Sequence, residues 1–225
     1  MSGSVDFTNK MYNYNKATGV YDFDKEVKYH DGFVMKLMPE ITGNGFFSAG
    51  RDNKIFHIDI NGTPLMQYEG HTMAVNSLCQ ADPTEFMSGS WDGTAKVWDI
   101  NSGEVKKTLE GHTHGTEVLT LPNGITVTGS QDGNIHVYHQ LVHKKKVKGH
   151  TDAIRKIVEI PSLGFATVSN DEFVKVWDYE LNALQTLSGH GGYVFCACLL
   201  ESGDLATGGD DCTVRIWSPA SGELK

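Results

Sequence analysis

The chain has 225 residues, 39% hydrophobic and 21% charged, enough to bury one large core or two small ones, which excludes a disordered tail. Its 28 acidic residues against 19 Lys plus Arg leave a net charge of -9, which repels phosphate backbones and anionic membranes and argues against nucleic acid as a partner. No apolar run approaches the roughly 20 residues that span a bilayer, and MSGSVDFTNK lacks the basic-then-apolar order of a secretory leader, so the sequence reads as soluble and intracellular.

From the N-terminus, Ser2, Asp6 and Tyr12 set a hydroxyl, a turn aspartate and an aromatic at offsets of four and six. The same offsets recur in SAGRDNKIFHID from Ser48, SGSWDGTAKVWD from Ser88, TGSQDGNIHVYH from Thr128, TVSNDEFVKVWD from Thr167 and TGGDDCTVRIWS from Thr207. The aspartates Asp52, Asp92, Asp132, Asp171 and Asp211 are 40, 40, 39 and 40 apart. Gly-His dipeptides ending at His71, His112, His150 and His190 precede four of them by 20 or 21 residues. A period near forty marks a repeat architecture.

Within a unit the side chains alternate, with Ala95, Val97 and Asp99 on one side and Lys96 and Trp98 on the other, which predicts a strand. Two further strands are expected between histidine and aspartate, such as Val118 to Leu121 and Ile125 to Val127 about the turn Pro122-Asn123-Gly124. A fourth, such as Val105 to Leu109, follows Trp-Asp. Four strands per forty residues make one β-propeller blade. The expected organisation is one domain, 1–225: a partial blade at 1–30, blades at about 31–69, 70–110, 111–148 and 149–188, and a partial blade at 189–225. This gives 21 strands, short of the 24 of a six-bladed ring or the 28 of a seven-bladed one. The ring is expected to be incomplete through omitted flanking residues; a strand-exchanged or stacked dimer is the alternative.

With Gly-His, the turn aspartate and the literal Trp98-Asp99 and Trp177-Asp178, the chain resembles the WD-repeat family along essentially its whole length. The resemblance implies an all-β WD-repeat β-propeller whose histidine, hydroxyl, aspartate and tryptophan form a hydrogen-bonded tetrad. Three sets are complete: His71, Ser88, Asp92, Trp98; His150, Thr167, Asp171, Trp177; and His190, Thr207, Asp211, Trp217. A fourth, His112, Thr128, Asp132, ends in Tyr138. The unit of His30, Ser48 and Asp52 has Ile58 there, so its chain is expected to end in apolar packing. A buried carboxylate needs donors, and a histidine plus turn amides supply them. A Ser-His-Asp hydrolase set is the competing reading; recurrence in every repeat and the lack of GxSxG count against it.

GSWDGTAKVWD (Gly89 to Asp99), SNDEFVKVWD (Ser169 to Asp178) and the segment from Gly189 to Lys225 look like the phospholipase A2-activating protein family. That resemblance implies a seven-bladed propeller, of which about five to six blades are present, that binds ubiquitin. It also implies an adaptor role in ubiquitin-dependent degradation, joined to a AAA segregase through domains absent from this chain, in the cytoplasm and also the nucleus. The alternative is a general scaffold for another multiprotein complex, of RNA-processing or signalling type. In WD propellers the top face draws on the third and fifth residues after the histidine and on the residue before the turn aspartate. Here these include Phe33, Met35, Arg51, Trp91, Glu117, Arg155, Asn170, Tyr193, Phe195 and Asp210. The large apolar members suit a partner site, and Glu117 and Asp210 suit the basic rim of ubiquitin's apolar patch.

Other signals point nowhere further. His143, Lys144, Lys145, Lys146 and Lys148 fall on an outermost strand, where lysines protect an edge. His136 and His139 face opposite sides of their strand, which argues against a metal, and His57, His114 and His143 complete no ligand set. Cys79, Cys196, Cys198 and Cys212 form no CxxC pair and read as reduced thiols, mostly packing as small apolar groups. Phosphate loops, HExxH and dinucleotide fingerprints are absent, so neither an enzyme nor a cofactor is expected.

Overall fold

The computed structural model describes residues 1–80, 82–121 and 124–225, so Pro122 and Asn123 of the expected turn lie outside the described residues. Two compact units divide the chain, Met1–Glu110 and Gly111–Lys225.

The first unit holds three antiparallel sheets, each a meander in chain order. They are β1 (Ser2–Gly3), β2 (Asn9–Asn15) and β3 (Val20–Val27); β4 (Val34–Pro39), β5 (Gly45–Gly50), β6 (Ile55–Asp59) and β7 (Pro64–Tyr68); and β8 (Val75–Gln80), β9 (Glu85–Ser90), β10 (Ala95–Asp99) and β11 (Val105–Leu109). The second unit repeats the plan. Its sheets are β12 (Thr116–Thr120), β13 (Ile125–Ser130), β14 (Asn134–His139) and β15 (Val142–Lys148); β16 (Ile154–Ile160), β17 (Gly164–Ser169), β18 (Val174–Trp177) and β19 (Ala183–Leu187); and β20 (Val194–Leu199), β21 (Leu205–Gly209) and β22 (Val214–Trp217). Among the described residues there is no helix. The described strands number 22 rather than 21, because Ser2 and Gly3 pair with Lys10 and Asn9 as a first strand of the N-terminal sheet.

In the four-stranded sheets burial peaks in the second strand and is least in the fourth. Within the first unit β4 adjoins β1 and β8; within the second, β16 adjoins β12 and β20. The second strands GFFSAG, ITVTGS and GFATVS are buried at every position, because neighbouring sheets or loops cover both faces. The fourth strands are exposed, and β15 reads VHKKKVK because its outer edge has no neighbour to pair with.

Aromatic packing dominates the first unit. Phe47 and Phe86 lie 4.5 Å apart, and Phe86 stacks on Trp98 at 6.2 Å. Val127, Ile135, Phe165 and Trp177 fill one core of the second unit, and Val176, Val194, Leu205 and Trp217 another. Each such side chain contributes about 1.5–3 kcal/mol by leaving water. The glycine before the histidine follows from this packing: at Gly70, φ is 153° and a Cβ would lie 3.2 Å from the Trp98 ring.

The two terminal sheets carry exposed apolar groups. Tyr12 opposes Phe23 and Tyr14 opposes Tyr21 on β2 and β3, all four exposed. In the C-terminal sheet Cys196 and Cys198 are exposed, as is Cys212 in the turn, so these thiols do not pack as small apolar groups.

Candidate functional site

The site is built in two layers, a buried polar frame and a rim of side chains fixed to it. In the frame, His150 Nδ1 lies 2.9 Å from both Asp171 oxygens, and His150 Nε2 lies 2.7 Å from Thr167 Oγ1, which also accepts the Trp177 indole N–H at 2.9 Å. The backbone N–H groups of Thr151 and Phe173 donate to the same carboxylate. Burial pushes Asp171 up, but the His150 bond and charge and these amides more than offset it and hold the group at about 2. The sets of His71, Ser88, Asp92, Trp98 and of His190, Thr207, Asp211, Trp217 repeat these contacts at 2.7–2.9 Å. Ser88, Thr167 and Thr207 are at most 1% exposed and already accept an indole, so no substrate carbonyl reaches them as it would reach a hydrolase nucleophile.

Two sets depart from this pattern. Ser48 Oγ does not end in apolar packing at Ile58, as the sequence suggested, but lies 3.2 Å from the Asn9 amide oxygen, and Asn9 Nδ2 is buried without a hydrogen bond. Exchanging that amide's oxygen and nitrogen, which have the same shape, turns a donor toward Ser48. Asn9 then donates to Ser48, Ser48 to His30 Nε2 at 2.9 Å, and His30 to Asp52 at 2.9 Å. An asparagine from the neighbouring sheet thus takes the indole's place. In the set with Tyr138, His112 bonds Thr128 at 2.8 Å, but its Nδ1 stands 3.4 Å from Asp132 and makes no hydrogen bond. The His136 ring lies 4.2 Å from His112, tilted by 42°, and His143 meets it edge on at 5.1 Å; His136 Nε2 has no hydrogen bond. Burial, then the charges His112, Lys146 and His143 can carry, holds the His136 imidazole down at about 4. Among the described residues, no group of three His, Cys, Asp or Glu side chains is placed to hold a metal.

Two backbone devices position the rim. The N–H before each turn aspartate donates to the carbonyl of the third residue after the histidine, at 2.8–2.9 Å, in the pairs Arg51 to Phe33, Trp91 to Ala74, Gln131 to Gly115, Asn170 to Ala153 and Asp210 to Tyr193. The fifth residue after the histidine sits in a register break of the first strand: Met35, Asn76, Arg155 and Phe195 each have no partner across the sheet. A β-bulge of this kind re-aims its side chain. In β12 there is no bulge and Glu117 stays in register with Gly129.

The missing bulge corrects the expectation for Glu117. It is 8% exposed and binds Lys156 at 2.9 Å, so it offers no free acid to a partner. Asn170 is buried too, and its side-chain oxygen accepts from Arg155 Nε at 2.7 Å. The exposed rim of the second unit is Tyr193 and Phe195, edge to face at 6.2 Å, with Asp210.

In the first unit the rim is a continuous stack. Phe7 lies 5.8 Å from Phe33, the Arg51 guanidinium stands 5.4 Å from the Phe33 ring and 5.9 Å from Trp91, and Lys28 covers Phe7 at 5.4 Å. Met35 is exposed beside it in sequence. Sequence reasoning missed Phe7 and Lys28. Phe7 follows turn aspartate Asp6, at the position of Asn53, Glu172 and Cys212, and shares their positive φ. A bulky ring at a left-handed turn position was the available signal.

Residues 62–99, 103–139 and 181–218 match the family described as WD domain, G-beta repeat, and the chain belongs to that family of repeat proteins. Within it, the chain is 35% identical over 159 residues to "Ribosome biogenesis protein WDR12 homolog" of Nematostella vectensis, covering 66% of this chain and 38% of that one. It is 31% identical over 187 residues to "U3 small nucleolar RNA-associated protein 15 homolog" of Xenopus laevis, covering 78% and 36%. It is 33% identical over 198 residues to "Ubiquitin homeostasis protein lub1" of Schizosaccharomyces pombe, covering 84% and 27%. The chain therefore spans well under half the length of these relatives. The solved WD40 β-propeller domain of Doa1 superposes with a TM-score of 0.85 at 29% identity, over 99% of this chain and 76% of that one.

Proposed function

We propose that this chain is a non-catalytic scaffold that holds a protein partner of a multiprotein assembly on the rim of its first unit, made by the residues before the turn aspartates and those in the bulges. The observation that carries the reading is the separation of labour in the site. Buried polar sets are spent on fixing the turns, while Phe33, Met35, Arg51, Trp91, Tyr193 and Phe195 stand on that frame with no structural bond from their side chains among the described residues beyond ring and cation contacts. Large rings and an arginine held rigid at a surface are the groups that dominate protein interfaces. Similarity to relatives named for ribosome biogenesis and for a small nucleolar RNA supports an assembly of that kind. Affinity purification of the chain from cells, with Phe33→Ala and Trp91→Ala variants alongside, tests the reading. One set of partners lost from both variants is expected, and an unchanged set counts against it.

A second reading, ubiquitin binding within an adaptor for a AAA segregase, is favoured by the likeness to Doa1 over 99% of this chain and to lub1 over 84%. Asp210 remains the exposed acid suited to a basic-rimmed patch, whereas Glu117 is neutralised by Lys156. Titration of labelled mono-ubiquitin, with Phe195→Ala as the control, separates the two readings.

A further inference from the structure

The stack in the first unit has a chemical polarity that its apolar rings conceal. The whole chain carries -9, yet this stack presents two exposed cations, the Arg51 guanidinium within it and Lys28 at its Phe7 end. Arg51 lies against the rings of Phe33 and Trp91. Its side chain makes no salt bridge and no hydrogen bond among the described residues; only its backbone N–H is used, on Phe33. The adjacent Asp52 carboxylate is committed to His30, to the Asp31 amide and to the Lys54 amide. A guanidinium placed against aromatic rings keeps its in-plane N–H fork, the geometry that grips a carboxylate with two parallel bonds. The ring contacts also hold the side chain still, which lowers the entropy cost of using that fork.

A second observation comes from the backbone. Phe7 adopts φ 73°, a left-handed conformation that a bulky residue takes only at a cost. The equivalent positions in other repeats carry Asn53, Gly93, Gly133, Glu172 and Cys212. This conformation puts the Phe7 ring on Phe33 and extends the stack toward Lys28. The strained turn thus builds an apolar flank beside the two cations.

We infer that the Phe7–Phe33–Arg51–Trp91 stack receives an acidic segment of a partner protein, an Asp or Glu carboxylate entering the Arg51 fork while an adjacent apolar side chain lies on the rings. The inference rests on the reading of this rim as a protein-interaction surface and names the chemistry of what it takes. Charge complementarity commits it to a carboxylate, since the stack itself presents two exposed cations, Arg51 and Lys28, while Asp52 is spent inward and Asp6 is held by Thr8 and Lys10; Asp31 is the exposed acid nearby. Nucleic acid is disfavoured by the repulsion of a chain at -9.

The test is selection from a displayed library of random peptides against the chain and its Arg51→Gln variant, followed by polarisation titration of the winning labelled peptide. Enrichment of Asp or Glu at one fixed position next to an aromatic or aliphatic residue is expected, and Arg51→Gln abolishes that preference. The winning peptide loses about ten-fold in affinity on Arg51→Gln, in line with a charge-assisted bond. Changing its acidic residue to the amide loses the same factor, and the two changes together lose little more. Arg51 is exposed, so an unchanged urea midpoint shows that the variant folds. Winners without a fixed acid, additive losses in the cycle, or equally tight binding of a labelled RNA oligonucleotide would overturn the inference. Failure here with partners still lost from Phe33→Ala in the cellular purification would reject the acidic segment alone. Failure here together with an unchanged set of partners for Phe33→Ala would reject the interaction surface itself.

Discussion

The sheets β12–β15 and β16–β19 lie in the same unit and carry the same histidine, threonine and aspartate, yet one ends in Tyr138 and the other in Trp177. With the indole, every heavy-atom contact in the quartet is 2.9 Å or shorter. With the phenol, His112 drifts to 3.4 Å from Asp132, its Nδ1 is left without a hydrogen bond, and a second histidine ring lies tilted against it. The position four residues after the turn aspartate explains the second histidine. It holds Lys96, Lys175 and Arg215 beside the indoles, but His136 beside the phenol. Where the aromatic is a phenol, an imidazole rather than a long cation stands at that position, and it lies tilted against the quartet histidine. The fourth member of the quartet therefore sets how tightly the whole chain of donors closes.

The largest way to break this comparison is to remove the two aspartates in parallel. Asp171→Ala strands His150 Nδ1 and the Thr151 and Phe173 amides, and is expected to cost about 3–5 kcal/mol in urea unfolding. Asp132→Ala, whose histidine contact is already stretched, is expected to cost about 1–2 kcal/mol. Equal losses would show that Tyr138 loosens nothing. Asn9→Ala comes next, at about 1–2 kcal/mol, since it removes the donor that substitutes for the indole on Ser48. A midpoint unmoved by that change would return the set at Ile58 to apolar packing.

The smallest effect sharpens the comparison through pH. Burial holds both His112 and His136 below the ordinary histidine value of 6.5, His136 at about 4. The unfolded chain takes up protons first as pH falls below about 6.5, so stability contributed by the neutral rings is present above that value and is lost toward pH 4. His71 shares the direction, so part of the slope is common to the complete sets. His136→Gln is expected to leave the midpoint at pH 7 within about 1 kcal/mol and to reduce its fall between pH 7 and pH 5. An unchanged fall would place the acid sensitivity elsewhere.

The quartets were legible in the sequence because each member needs one chemistry at one backbone position, and those positions recur every forty residues. The rim was legible only as a set of positions. Nothing in MKLMP against TEVLT announces that Met35 sits in a bulge while Glu117 stays in register, since a bulge asks no particular side chain of its extra residue. That difference turned Glu117 inward onto Lys156 and left the expected acidic complement to ubiquitin with Asp210. Asn9 was invisible for another reason: it reaches Ser48 from a different sheet, at an offset that no other repeat shares.

The repeated bond from the N–H before each aspartate to the third residue after the histidine uses main-chain atoms alone. Arginine, tryptophan, glutamine, asparagine and aspartate therefore occupy the same spatial slot without altering the turn beneath. Duplicated repeats of this kind can drift apart in what they display while their folding instructions stay shared. New binding preferences then arise by single substitutions whose cost in folding is close to nil.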